Sequence, residues 1–432
     1  MKPRLLRLGG EFFWVTLGQG LVALGGLLGV RLLTEVLPPA VYGELALAMT
    51  IVAFVQVTVQ QPLFESVRRF FHAASNAGEA PAFLQTMWRF ARRISVGLVA
   101  GGLVVSLLLV AAGQGSWIGL WAAVLAVCLI STWNLALGGI QSATRRRAIV
   151  AGHEGLQQWL RFGLAAALVW WAGPHSSMAM TGYAMAAGLV VASQGWFLRG
   201  TLWRVPLDSA EPRPALARAW EGRLLAYAWP FGVWGAALSV QAASARWSLQ
   251  QFEAAEAVGL FAVLYQVGHY PVALLMGGLS KFLAPVIFSR AGAGEDAGRV
   301  GEARRISRFL VASAVSLTLL ATAVAALAHE QVFALLVAPE YRGVSWLLPL
   351  QVLGSGLFAA SQAASMQSML AANTRALLTP KIASASIGTV LNVLAAWRYG
   401  LPGVLYAGVL YGAISFLWIV RARSTFPRQP FP

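Results

Sequence analysis

In the run GHEGLQQWLRFG, residues 152–163, Glu154, Gln158 and Arg161 fall at i, i+4 and i+7, and His153 and Gln157 lie beside that line. On a helix this spacing gathers them on one face. Such a face suits the wall of a hydrated cavity in which Arg161 draws an anion by charge-assisted hydrogen bonds. The other reading is an internal pair, Arg161 with Glu154, that fixes packing. Arg31 and Arg246 make a second set. Arg31 lies 23 residues past Leu8 and Arg246 lies 23 past Arg223, each about 34 Å along a helix. They could form a cationic outer mouth, or Arg31 could be an interfacial anchor neutralised by Glu35 at i+4. His269, beside Pro271, titrates in the range of a proton-coupled switch, or sits neutral between helices. Glu65 and Lys281 read as an inner gate or as solvated, snorkelling ends.

These groups matter because of what surrounds them. Of 432 residues 58% are hydrophobic and only 11% charged, against about 25% charged in an ordinary soluble domain. The mean hydropathy is +0.66. A helix needs about 20 apolar residues to span lipid. Segments of that kind cover 9–36, 43–70, 88–112, 117–143, 148–172, 177–199, 224–250, 257–288, 305–328, 344–371, 377–397 and 402–420. They lack the alternation of barrel strands, so the expectation is an all-α integral membrane protein of about twelve transmembrane helices. Arg161 stands 14 residues past Arg147, about 21 Å into a hydrocarbon layer about 30 Å thick, too deep to snorkel easily.

The charge pattern gives the orientation. With the N-terminus in the cytoplasm and helices alternating, every Lys and Arg except Arg31, Arg161, Arg246, Arg342 and Arg398 falls in an inside segment. That is the positive-inside pattern, with both termini cytoplasmic. The formal charge of +16 therefore reads as membrane topology, and no nucleic-acid partner is expected. The lone Cys128 cannot form an intramolecular disulfide. No metal cluster, cofactor motif or nucleophile–base pair is recognisable, so no catalytic or metal-binding residue is assigned. The outer loops are too short for a polysaccharide polymerase or a prenyl-linked glycosyltransferase. The glycines of GQGLVALGGLLG suit close helix packing rather than a phosphate loop.

The chain also looks duplicated. YGELALAM from Tyr42 matches VGLFAVLY from Val258, which sets Gly43 and Gly259 216 residues apart. Gly78-Glu79 and Gly294-Glu295 repeat that offset. With the Pro-rich stretch at 201–223 as a cytoplasmic linker, the expected organisation is a six-helix bundle over 1–200 and another over 224–432. Parallel repeats of this kind are a transporter architecture.

The elbow LLTEVLPPAVYGELAL, the helix end PLFESVRRFF and the basic turn QSATRRRA resemble the polysaccharide transporter family. These are Wzx-type O-antigen and exopolysaccharide flippases, of the superfamily that also holds MATE drug exporters and lipid II flippases. The resemblance implies a multi-pass protein of the bacterial inner membrane. It implies an undecaprenyl-pyrophosphate-linked oligosaccharide substrate moved by alternating access, with coupling to protons or sodium. Other polysaccharide-assembly membrane proteins are implied partners. On that view Arg161, Arg31 and Arg246 attract the pyrophosphate or an acidic sugar. His153, Glu154, Gln157, Gln158 and His269 line the cavity or couple the ion. A MATE-like drug or metabolite antiporter is the alternative, but such an exporter of cations would be expected to bury acids.

Overall fold

A computed structural model describes residues 2–143, 147–202, 214–291, 297–370 and 378–425. Every element among them is helical. They are α1 (Lys2–Val36), α2 (Pro39–Val55), α3 (Gln61–Asn76), α4 (Ala80–Ala111), α5 (Ile118–Ala143), α6 (Arg147–Ala172), α7 (Ser176–Leu202), α8 (Pro214–Phe252), α9 (Ala255–Ala291), α10 (Ala297–Leu336), α11 (Leu348–Leu370) and α12 (Leu378–Thr425). With no water in the hydrocarbon layer, helices satisfy their backbone polar groups internally. Nine stretches of described helix are long and apolar enough to cross a membrane. This is a multi-pass membrane protein.

The exceptions to regular helix have local causes. Pro62 has no N–H to return to the preceding turn, and just before it the chain widens into a π turn at Gln56–Gln60 joining α2 to α3. The expected pair of helices at 377–397 and 402–420 is one element, α12, broken at Gly400 with φ 56° and ψ −141°. A Cβ there would lie 1.6 Å from the Glu253 carboxylate, which accepts the Leu401 N–H at 3.3 Å. Glycine is required by both the backbone angle and the space. α10 kinks at Ala328, where the sequence reading ends that helix, and then runs on to Leu336. Arg342 closes its end by donating to the carbonyls of Ala334 and Val337 at 3.1 and 3.2 Å. Lys381, counted with the inside segments at the start of the expected span 377–397, lies in the first turns of α12. It is 8% exposed and donates to Gln362 at 3.3 Å.

The chain divides into two compact units, Met1–Leu37 with Glu44–Ser239, and Pro38–Gly43 with Val240–Pro432. In the first, α6 packs between α1 and α7, and α5 meets α3, α4 and α7. Its core joins Phe64 and Val67 of α3, Phe83 and Met87 of α4, Ile140 of α5 and Trp220 of α8. Trp220 lies edge-on to Phe83 at 5.2 Å and donates to Glu79 at 3.0 Å. α4 is otherwise almost bare, as a lipid-facing helix should be. In the second unit α11 packs against α9, α10 and α12. Residues 203–213 of the expected linker 201–223, the basic residues Arg145 and Arg146, and Gly294-Glu295 lie outside the described residues, while 214–223 belong to α8.

Gly43 and Gly259, placed 216 apart by the sequence, meet within the second unit. A Cβ on Gly43 would fall 1.8 Å from the Ala255 carbonyl oxygen, and one on Gly259 would fall 1.9 Å from that of Pro39. The contact is reciprocal, each glycine receiving a carbonyl from the first turn of the other's helix. Overpacking a close crossing costs about 1–3 kcal/mol. Gly43→Val and Gly259→Val are expected to lower the thermal unfolding midpoint of the detergent-purified protein by several degrees. Gly20→Ala, with nothing within 4 Å, is expected to leave it unchanged.

Candidate functional site

The first unit holds a polar cavity of about 250 Å³. The widened turn before α3 supplies one wall, and α5, α6 and α7 supply the others. Gln56 donates to Ser131 at 2.9 Å. One turn on, Gln60 donates to the Cys128 carbonyl at 2.9 Å and to Thr132 at 2.8 Å, pinning the turn to α5. Across the cavity runs a chain of amides. Gln194 of α7 donates to Asn134 of α5 at 3.1 Å, and Asn134 donates to Gln157 of α6 at 2.9 Å. His153 shares a hydrogen bond with Ser193 at 3.0 Å. The carboxylates of Glu65 and Glu154 stand on the walls, both residues exposed.

A second cavity in this unit, about 540 Å³, is apolar. It runs along Tyr227, Phe231, Trp234 and Leu238 of α8. Gln61 and Glu65 belong to both linings, so the polar chamber and the apolar groove adjoin. An amphipathic ligand is the chemistry such a pair accepts.

The predicted polar face of α6 divides. His153, Glu154 and Gln157 line the polar cavity. Gln158 points to α1, where its Cγ lies 3.2 Å from a Cβ built on Gly25, beside Trp159, which donates to the Leu21 carbonyl at 3.1 Å. Arg161 lies one turn beyond. Its guanidinium carbon sits 4.4 Å from the Tyr183 ring centre and 5.0 Å from that of Phe162. Its Nε is buried without a hydrogen-bond partner, and no ion pair joins it to Glu154 among the described residues.

In the second unit Arg246 has the same surroundings. Its guanidinium lies 5.0 Å from the Tyr265 ring and 5.6 Å from the Phe261 ring, and its Nε is likewise unpartnered. Tyr265 stacks on His269 at 4.5 Å. Arg31 differs. It pairs with Glu35 one turn on and is 34% exposed, so a carboxylate already answers its charge. Glu65 is in place on the cavity wall, while the side chain of Lys281 lies outside the described residues.

Gln56, Gln61 and Gln194 carry this site and were not singled out from sequence. The spacing of Gln56 and Gln60 at i, i+4 was the available signal. Asn134 is expected to be the most sensitive member of the amide chain. Asn134→Leu strands the donors of Gln194 and the acceptor of Gln157, a loss of about 1–3 kcal/mol, measurable as easier unfolding in a detergent titration.

Comparison with known proteins follows the same lines. No curated protein matches the chain. Among solved structures, it is similar to the lipid II flippase MurJ in an inward closed conformation (TM-score 0.67, 13% identity, 96% of this chain and 88% of that one). It is similar to an inward-facing multidrug resistance MATE family transporter of the MOP superfamily (TM-score 0.63, 14%, 95% and 96%). A third is a MOP superfamily transporter from Pyrococcus furiosus, described as having a binding pocket of reverse polarity (TM-score 0.57, 13%, 97% and 95%). At these identities the likeness establishes the fold, that of MOP superfamily transporters. The sequence itself matches, over residues 8–290, the family described as polysaccharide biosynthesis protein, and to that family the chain belongs.

Proposed function

We propose that this protein is a flippase that carries an undecaprenyl-pyrophosphate-linked oligosaccharide across the bacterial inner membrane for O-antigen or exopolysaccharide assembly. It works by alternating access with an ion gradient as the drive. The observation that carries this reading is the polar chamber adjoining, at Gln61 and Glu65, an apolar groove of about twice its volume. A sugar head on a prenyl tail has that division of chemistry. The topology belongs to the proposal. Thr379–Arg421 counted as two spans at the Gly400 break, together with α6 and α8, brings the nine apolar helices to twelve. An even number keeps both termini on the cytoplasmic side.

The pyrophosphate needs cations. Arg161 and Arg246 each offer a guanidinium that rests on aromatic rings with its Nε unpartnered, and among the described residues no carboxylate pairs with either. An uncompensated charge at membrane depth is costly and marks function by default. Aromatic faces hold it in place and leave its N–H groups free for an anion. Arg31, with Glu35 beside it, is the weaker candidate for the exit. His269, stacked on Tyr265, is the proton-coupling candidate. Glu65 and Lys281 are the inner gate.

One observation favours the antiporter reading: two carboxylates on the polar cavity, as an exporter of organic cations would have. The test is a deletion strain that retains the later sugar-adding genes. Lipid extracts are expected to accumulate a prenyl-pyrophosphate oligosaccharide. Wild type is expected to clear it, and a normally expressed Arg161→Ala to leave at least about tenfold more, the worth of one charged hydrogen bond. No accumulation, with new sensitivity to cationic drugs, would establish the antiporter instead.

A further inference from the structure

The hydrogen bonds of the polar cavity run one way. Gln194 donates to Asn134, and Asn134 donates to Gln157. The chain therefore ends in a free amide donor at Gln157 and an acceptor at Gln194. Gln194 is 4% exposed and its Oε1 has no partner. A buried acceptor left open is costly unless a ligand or water fills it. Around these two ends, among the described residues, the charged side chains on the walls are the carboxylates of Glu65 and Glu154, with Arg161 not among the lining residues.

The shape of this demand narrows the ligand. A bare metal ion needs a tight shell of oxygens, whereas a chamber of about 250 Å³ is far roomier than a single ion or water requires. An acidic group would meet the Glu154 carboxylate and be repelled. Hydroxyls donate and accept at once, so they satisfy the Gln194 oxygen, the Gln157 amide and a carboxylate together. An amino group serves the same acceptors.

We infer that this cavity seats one non-acidic sugar ring of the cargo, a neutral or amino-substituted pyranose. Gln194, Gln157 and Glu154 bind its hydroxyls, and the prenyl end passes Gln61 and Glu65 into the apolar groove. The inference rests on the flippase reading and adds to it the sugar class. The phosphate falls to the arginines, and the ring is selected by amides and carboxylates.

The test uses the full chain in nanodiscs and three probes: polyprenyl pyrophosphate without sugar, the same lipid carrying glucose, and the same lipid carrying glucuronic acid. Dissociation constants are read by native mass spectrometry. The glucose probe is expected to bind about tenfold tighter than the sugarless one, and the glucuronic acid probe no tighter. Gln194→Leu, and the conservative Glu154→Gln at an exposed position, are each expected to bring the glucose-to-sugarless ratio to about one. If the sugarless lipid binds and glucose adds nothing, the sugar seat is wrong while the flippase stands. A preference for glucuronic acid, or a glucose gain that survives in both variants, also overturns it. If none of the three lipids binds, the flippase reading fails and takes the sugar seat with it.

Discussion

A polar group inside a bundle surrounded by lipid must find its partner inside that bundle, and the arrangement of this protein follows from that constraint. Its backbone meets the requirement by being helical at every described element. Many of its side chains meet it by pairing across helices, and those that do not stand out. Gln60, buried completely, donates twice to α5. It reaches those acceptors because the chain widens by a π turn ahead of Pro62. The same widened turn brings Gln56 to Ser131 and forms one side of the polar cavity. A break in helix regularity, which costs backbone hydrogen bonding locally, is thus compensated by side-chain bonds that build the chamber.

Charges obey the same constraint in three different ways. Arg31 has a carboxylate one turn away. Lys381 has a neutral amide, Gln362. Among the described residues Arg161 and Arg246 have aromatic faces, which stabilise a cation without cancelling its charge. Arg31 and Arg246 looked equivalent by their place in the two halves, yet one is neutralised locally and the other is not. The distinction lies in Glu35, which has no counterpart four residues after Arg246, where Gln250 stands. A similar place along a helix does not decide whether a cation is available; the neighbouring residues do.

The helices were legible because a span must be long and apolar, and composition alone reveals that. Their interruptions were legible only in part. The gap between the expected spans 377–397 and 402–420 marked the break inside α12 at Gly400, whereas the run-on of α10 past Ala328 to Leu336 depends on Arg342 closing the end, a contact between neighbouring segments. The meeting of Gly43 and Gly259 was foreshadowed by their shared offset, although nothing local said that the two would touch. At the site, the period of α6 marked its polar residues. It could not separate His153, Glu154 and Gln157, which face the cavity, from Gln158 and Arg161, because that depends on where α1 and α7 press against the helix. Gln194 stayed hidden for the same reason: with Ser193 it makes a lone polar pair in an apolar run, and its importance comes from Asn134 on another helix.

The most direct test of the central claim is transbilayer movement by the purified protein. A prenyl-pyrophosphate oligosaccharide is placed in both leaflets of proteoliposomes, and the fraction accessible to an external glycosidase is followed in time. The account predicts that the protected inner-leaflet pool becomes accessible only when the protein is present, and faster when a proton or sodium gradient is imposed. A protected pool that stays protected, in vesicles where the same protein expels an organic cation against its gradient, would contradict it.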